Sequence, residues 1–274
     1  MGIHLISDPE DPRVAGFVGL RKDDRKQASA GTFVVEGRRC VRRLIDSSVD
    51  VIALLVQHGR QDEAAGWVDD RTPIYAMHRE QLQAVAGYPF HRGFLALANR
   101  PRPLSLRHWL SQSPPFRVAI ASLGISEREN LGSVIRTATA LGLGPVLYCT
   151  RSADPYSRMA IRASMATVLK QSLITLDDPP ADLQWARGHG VRLVAATTHA
   201  DPRTHRKPTP LLEYQADRRP TILVVGHESD GIPAEVEAIA DDRVCIPMAG
   251  GVDSLNAAVA AAILMHGMSA TEPE

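Results

Sequence analysis

Apolar residues in this chain fall into short runs, and between the runs their spacing changes to that of helices. Alternation of that kind marks an α/β protein. In the first part, Thr32–Val35, Val51–Val56, Pro73–Met77 and Gly93–Ala98 read as strands. Helices are expected over 12–20 behind Pro12, over 37–47, and from His78 to Ala86. The second of these carries arginines on one side and Val41, Leu44 and Ile45 on the other. The stretch NRPRPLSLRHWLSQSPPF, 99–116, holds four prolines and reads as a connector with a short helix at Leu106–Leu110. Beyond it, strands Arg117–Ser122, Val146–Thr150, Val191–Thr197 and Thr221–Val225 are interleaved with helices Leu131–Leu141, closed by Gly142, and Tyr156–Leu169. Residues 199–220 read as a polar loop. The pattern predicts two α/β domains, 1–99 and 116–268, joined by a linker, 100–115. The second would have a mostly parallel sheet with ligands at the carboxyl ends of its strands.

The last apolar segment, VCIPMAGGVDSLNAAVAAAILMHGM at 244–268, is the one around which the second domain is organised. It predicts a strand from Val244 to Met248, a break at Ala249-Gly250-Gly251, and a helix with Asp253 or Ser254 as N-cap. From Leu255 to Met265 the only polar side chain is Asn256. A helix apolar all round is expected to be buried, and this one is shorter than the ~20 residues a bilayer requires. A buried amide must be hydrogen-bonded. Asn256 either ties down the glycine loop or joins Ile246 and Leu255 in a ligand pocket.

Composition changes this picture little. The chain has 274 residues, is 44% hydrophobic and 23% charged, and has zero net charge, which excludes a wholly basic nucleic-acid binder. Locally, residues 13–43 carry nine lysines and arginines against three acids, nine minus three, or plus six. Such a segment suits phosphates, and equally a solvated helix face. Cys40, Cys149 and Cys245 are scattered and read as small buried residues in a reducing cytoplasm. The histidines show no metal-type spacing, so no metal is expected. MGIHLISDPEDPRV has acids and no apolar core, so a secretory peptide is not expected, and the protein reads as cytoplasmic.

Three loops at strand ends carry the candidate chemistry. The first opens the helix ENLGSVIRTATALG, with Asn130 as an expected N-cap and Gly132 four residues before Arg136, on the same side. Arg136 either faces a ligand across the space Gly132 leaves or pairs with a carboxylate. The second is LVVGHESDGIP, where Gly226 and Gly231 bracket Glu228 directly after a strand; it is a turn or a ligand loop. The third is MAGGVDSLN. There is no G-x-G-x-x-G between a strand and a helix, and Ser229 does not sit in a G-x-S-x-G elbow.

Together these loops resemble the SpoU (TrmH-type) family of RNA ribose 2′-O-methyltransferases. Asn130, Gly132, Arg136, Thr137 and Ala138 match its N-x-G-x-x-x-R-T-A motif. Gly226, Glu228 and Gly231 match G-x-E-x-x-G. Ile246, Pro247, Met248, Ser254, Leu255 and Asn256 match I-P-M…S-L-N. DPYSRMAIRAS at 154–164 is similar to a further family feature, and F-V-V-E-G-R at 33–38 with H-R-G-F-L-A at 91–96 resemble the small RNA-binding domain of many members. Departures are Glu129 before the asparagine, Ala257 after S-L-N, and Met165-Ala166-Thr167 where a Met-Gly pair is usual.

The resemblance implies an N-terminal RNA-substrate-binding domain, a C-terminal methyltransferase domain with a trefoil knot, and homodimers. It implies S-adenosylmethionine held by Gly226, Glu228, Ile246, Met248 and Leu255. Methyl transfer would go to a ribose 2′-hydroxyl of ribosomal RNA rather than transfer RNA, with Arg136, Asn130, Glu228, Ser254 and Asn256 at the reaction. Arg136 would act there as a perturbed base or as a stabiliser of the developing alkoxide. RNA would meet Arg38, Arg39, Arg42 and Arg43. The alternative is an RNA-binding protein of the same fold that has lost catalysis.

Overall fold

The expected alternation forms two separate sheets in the computed structural model, which describes residues 2–20, 25–112, 116–201, 204–216, 218–227, 229–250 and 254–270. The chain divides into two compact units, one of residues 1–102 with 156–170 and one of 103–155 with 171–274.

The first unit contains β1 (Ile3–Leu5), α1 (Arg25–Ser29), β2 (Thr32–Glu36), α2 (Arg38–Ile45), β3 (Val51–Gln57), α3 (Gln61–Ala65), β4 (Ile74–Met77), α4 (Arg79–Ala86) and β5 (Phe94–Asn99). A 3-10 helix, Pro12–Phe17, follows Pro12 as expected. The strands lie in the order β1-β4-β3-β5-β2, with β1, β4 and β3 parallel and β5 antiparallel to both its neighbours. Phe17, Leu55, Met77, Leu82 and Phe90 lie in the core on one face of this sheet.

The second unit begins with β6 (Leu104–Ser105), α5 (Leu106–Gln112), β7 (Val118–Ser122), α6 (Arg128–Ala140) and β8 (Val146–Cys149). Next along the chain, α7 (Arg158–Ala163) belongs to the first unit. The second then resumes with β9 (Leu173–Leu176), α8 (Pro179–Gly188), β10 (Arg192–Ala196), β11 (Thr209–Pro210), β12 (Thr221–Val225), α9 (Ala234–Ile239), β13 (Asp242–Cys245) and α10 (Ala257–Ala270). All eight strands pair in parallel, in the order β11-β13-β10-β12-β7-β8-β9-β6. From β7 the chain builds outward one way through β8 and β9, and the other way through β12, β10 and β13. The parallel strands carry fully buried runs, such as Val118–Ser122 and Thr221–Val225, because helices cover the faces.

Several local expectations are corrected. The helix expected over 156–169 stops at Ala163: Ser157 caps its start, and Met165 and Ala166 both take left-handed backbone, φ 52° and 62°, before a 3-10 turn at Thr167–Leu169. Asn130 is not the N-cap of its helix; α6 starts at Arg128, and Glu127 holds the extended cap position, its carbonyl accepting from Leu131 N at 3.0 Å. The strand expected to reach Met248 ends at Cys245, just before Ile246-Pro247, since a proline has no N–H to give a ladder. The polar reading of 199–220 passed over β11 and a 3-10 turn, Leu211–Glu213. Helix α8 was also passed over, although DDPPAD carries its signal: Asp178 accepts from Ala181 N at 3.2 Å, and Pro179 stands at the first helical position.

Candidate active site

The carboxyl ends of β10, β12 and β13 open on a cleft of about 420 Å³, within the usual range for a small-molecule site. Ala196–His199 form one wall, Val225–His227 and Ser229–Ile232 a second, Val244–Ile246 and Met248 a third, and Ser254, Leu255, Ala257, Ala260 and Leu264 the last. Most of this lining is apolar or main chain.

The second loop is folded as a tight turn. His227 and Gly231 exchange both backbone hydrogen bonds at 3.0 Å, and Gly231 takes φ 68°. His227 Nδ1 accepts from Ser229 N at 3.1 Å and from Asp230 N at 3.4 Å. A Cβ on Gly226 would sit 2.1 Å from the Gly231 carbonyl carbon, so no other residue fits there. Glu228 lies outside the described residues, as do Gly251 and Asp253 of the third loop. Cys245 also lines the cleft; burial pushes its thiol up, so it is a neutral wall and no nucleophile at neutral pH.

The third loop ends differently from the expectation. Asn256, rather than Asp253 or Ser254, caps α10: its Oδ1 accepts from Ala258 N at 3.0 Å and Val259 N at 3.3 Å. With the oxygen so engaged, Nδ2 donates to Asn130 Oδ1 at 3.1 Å, joining the first and third loops. Asn256 is exposed and does not line the cleft. It ties the loop, while Ile246 and Leu255 form the pocket without it. The helix is not buried all round either: Leu255, Val259 and Ile263 are 36%, 49% and 40% exposed, and these four-residue steps place them on one side. The opposite side, with Ala261, Leu264, Met265 and Met268, is buried.

Arg136 is exposed on α6, some 9 Å along the axis from Asn130 at the ordinary helical rise. It pairs with no carboxylate among the described residues and does not line the cleft. Gly132 is buried, while Arg136 on the same helix is exposed. Sequence reasoning missed Ser152. Its Oγ donates to Ser122 O at 2.7 Å and accepts from Gly124 N at 3.1 Å and Cys149 N at 3.3 Å, which fixes the loop leading into α6.

In the first unit, the four arginines singled out for RNA are all exposed on α2, but three are engaged. Arg38 pairs with Glu63 and lies 5.6 Å from the Trp67 ring centroid. Arg42 pairs with Asp46 at 3.2 Å, and Arg43 donates to Met165 O. Arg39 has no partner among the described residues. A denser network holds α7. Arg158 donates to Glu36 Oε2 at 3.1 Å, to Tyr88 OH at 2.9 Å and to Leu20 O. Tyr88 OH donates to Glu36 at 2.9 Å, and burial, then the Glu36 charge, push its pKa up so that it keeps this proton.

Comparison with known proteins agrees with this geometry. The model of the SpoU rRNA Methylase family matches residues 117–266. An uncharacterized tRNA/rRNA methyltransferase of Mycobacterium tuberculosis is 32% identical over 273 residues, 97% of this chain and 91% of its own. The 23S rRNA (uridine(2479)-2'-O)-methyltransferase of Streptomyces viridochromogenes is 29% identical, covering 95% of this chain and 93% of its own. The AdoMet-bound rRNA methyltransferase structure from Sinorhizobium meliloti superposes with a TM-score of 0.83 at 21% identity, over 97% of both chains.

Proposed function

The chain belongs to the SpoU rRNA methylase family, whose fold carries a trefoil knot, and on that premise we propose that it methylates a ribose 2′-hydroxyl of structured RNA, ribosomal before transfer RNA, from S-adenosylmethionine. The observation that carries this reading is the Asn256–Asn130 hydrogen bond. It ties the loop that walls the cleft to the helix that bears Arg136, so a small-molecule site and an exposed guanidinium share one frame.

The cleft fits the cofactor on its own evidence: its size, its apolar wall of Ile246, Met248 and Leu255, and the bare backbone at Gly226. When bound, S-adenosylmethionine supplies an electrophilic methyl group. Arg136 gives hydrogen bonds to the negative charge that grows on the 2′-oxygen, while a water or an RNA phosphate takes the hydroxyl proton and the demethylated cofactor leaves. Asn130 and Asn256 hold the start of α6 against the start of α10. Ser254 and Glu228 belong to the same reading through their motif positions. The first unit, residues 1–99 in the sequence reading, recognises RNA. The 23S rRNA specificity of the Streptomyces relative supports ribosomal RNA as the substrate.

The exposed stripe Leu255, Val259 and Ile263 supports a homodimer that covers it. No helix among the described residues is long and apolar enough to cross a membrane. The test is tritiated methyl transfer to total RNA from a strain lacking the gene, followed by mapping of ribose methylations that reappear. Label found on bases, or on no RNA while the cofactor binds, would overturn the reading; the second outcome would favour the RNA-binding protein without catalysis.

A further inference from the structure

One end of the first unit's sheet gathers cationic and aromatic groups from segments far apart in sequence. Strands β3 and β4 end side by side, Gln57 opposite Met77, and β5 begins beside them, with Phe94 opposite Val56. Residues 58–60, 78–79 and 91–92 therefore emerge together. The His58 and His78 rings stack, centroids 4.6 Å apart, and both residues are exposed. Arg79 Nη2 lies 2.6 Å from His91 Nδ1. The Arg60 guanidinium lies 5.7 Å from the Phe94 ring centroid, and that ring stacks on Trp67.

The carboxylates here are set back. Glu36, with a 9% exposed side chain, holds Arg92 at 3.1 Å, and Glu63, 28% exposed, holds Arg38 and Arg60. Their cationic partners stand outside them, 50% exposed for Arg92, 61% for Arg38 and 52% for Arg60. The exposed acids nearby, Asp62 and Glu80, sit in the first turns of α3 and α4, where they complement the helix ends.

We propose that this sheet end, rather than the outer arginines of α2, is the RNA-docking surface: Arg60, Arg79 and Arg92 take backbone phosphates, and the His58–His78 stack seats an unpaired nucleobase. The proposal rests on the RNA-methyltransferase reading. Guanidiniums held outward by recessed carboxylates suit phosphate. A flat ring pair at an exposed edge suits the face of an unstacked base, the form in which proteins read RNA loops.

The test uses the full chain and a fluorescein-labelled RNA hairpin, with its loop-free duplex as control. Arg60→Gln/Arg79→Gln should weaken hairpin binding about tenfold and flatten the salt slope by roughly 0.7 for each phosphate that is no longer neutralised. His58→Ala/His78→Ala should weaken the hairpin more than the duplex. Glu63→Gln, which frees Arg60 and also Arg38 of α2, should tighten binding and steepen the slope, and should do so in an Arg38→Gln background too, where only Arg60 is released. That opposite sign is not expected of mere unfolding, and calorimetric cofactor affinity reports on the cleft independently. Unchanged hairpin affinity and slope in all three variants would overturn the proposal and assign the face to an acidic protein partner. Methyl transfer by the wild type that the variants match would overturn it while leaving the enzyme reading intact; no transfer by the wild type would overturn that reading itself.

Discussion

Arg136 and Arg158 both lie in segments that match family motifs, and their surroundings are opposite. Arg158, 12% exposed, spends its guanidinium on Glu36, Tyr88 and the Leu20 carbonyl, with the Tyr88 ring centroid 5.1 Å away. Arg136 is exposed and has no protein partner among the described residues. A guanidinium engaged with several partners inside the fold holds the fold together. One whose donors are unspent is available to an anion that arrives later, whether a phosphate or a developing alkoxide. The resemblance puts Arg136 at the reaction and gives Arg158 no role, because what Arg158 does lies in what has folded around its side chain.

The largest effect expected from breaking this contrast is on turnover. Arg136→Ala should lower single-turnover methylation by about a thousandfold, and Arg136→Lys, which keeps charge but loses the planar fork, by about a hundredfold. Cofactor affinity and Tm should stay near wild type, since the guanidinium holds nothing else in place among the described residues. A rate loss with binding retained is the mark of an interaction made in the transition state. A parallel fall in Tm and cofactor affinity would instead make Arg136 structural.

Arg158 should show the reverse. Its pair with Glu36 is buried enough, at 12% and 9% side-chain exposure, for its loss to leave an uncompensated charge. Arg158→Met should therefore cost about 3 kcal/mol of stability, while Glu36→Gln/Arg158→Met together should cost less than the sum of the single changes. Cofactor affinity should hold, because the cleft lies wholly in the other unit. Strict additivity in denaturant melts would show that the two side chains do not interact.

Asn256 stands between these extremes, with its oxygen spent on the α10 cap and its nitrogen on Asn130. Asn256→Ala removes both and should cost about 1 kcal/mol through the missing cap. Asn256→Asp keeps the cap and, at neutral pH, replaces the donor with a second acceptor facing Asn130 Oδ1. It should keep Tm near wild type yet lower the methylation rate. Equal Tm losses in both variants would mean that the link to Asn130, and not the cap, supports the helix.

Much of the frame was legible because it depends on local pattern. The strands Thr32–Val35, Val51–Val56 and Thr221–Val225 are found within a residue or two of their expected bounds, since strands with buried runs are written as short unbroken apolar stretches. Gly226 and Gly231 were legible as a turn, and Ile246 and Leu255 as pocket walls. What was not legible is longer in range. Leu255 and Val259 read as buried because periodicity reports apolarity and not what covers it. Ser152 carries no local signal, because its three backbone partners, from residues 122, 124 and 149, come together around it only in the fold. The attachment of 156–170 to the first unit depends on Glu36 and Tyr88, which lie 122 and 70 residues from Arg158.

That same segment yields the smallest expected effect, at Ala166, where the family usually has glycine. Its backbone is left-handed, φ 62° and ψ 18°, and its side chain is 1% exposed. The left-handed conformation costs an L-residue roughly 1–2 kcal/mol, so glycine should relieve about that much. Two terms oppose the gain. The buried methyl is worth ~0.8 kcal/mol, and the looser unfolded chain of a glycine variant costs a further ~0.4–1 kcal/mol. The terms nearly cancel, which gives a physical reason why alanine is tolerated here. Ala166→Gly should therefore move Tm by no more than about 2–4 °C in either direction, the shift that ~1 kcal/mol produces in a chain of this size. Ala166→Val should fall well below both, because a β-branched residue fits the left-handed region worst and the buried site has no room for added volume. A valine variant as stable as wild type would mean that this turn is not left-handed in solution, and the clamp that Arg158 places on the same segment would then have to be reconsidered with it.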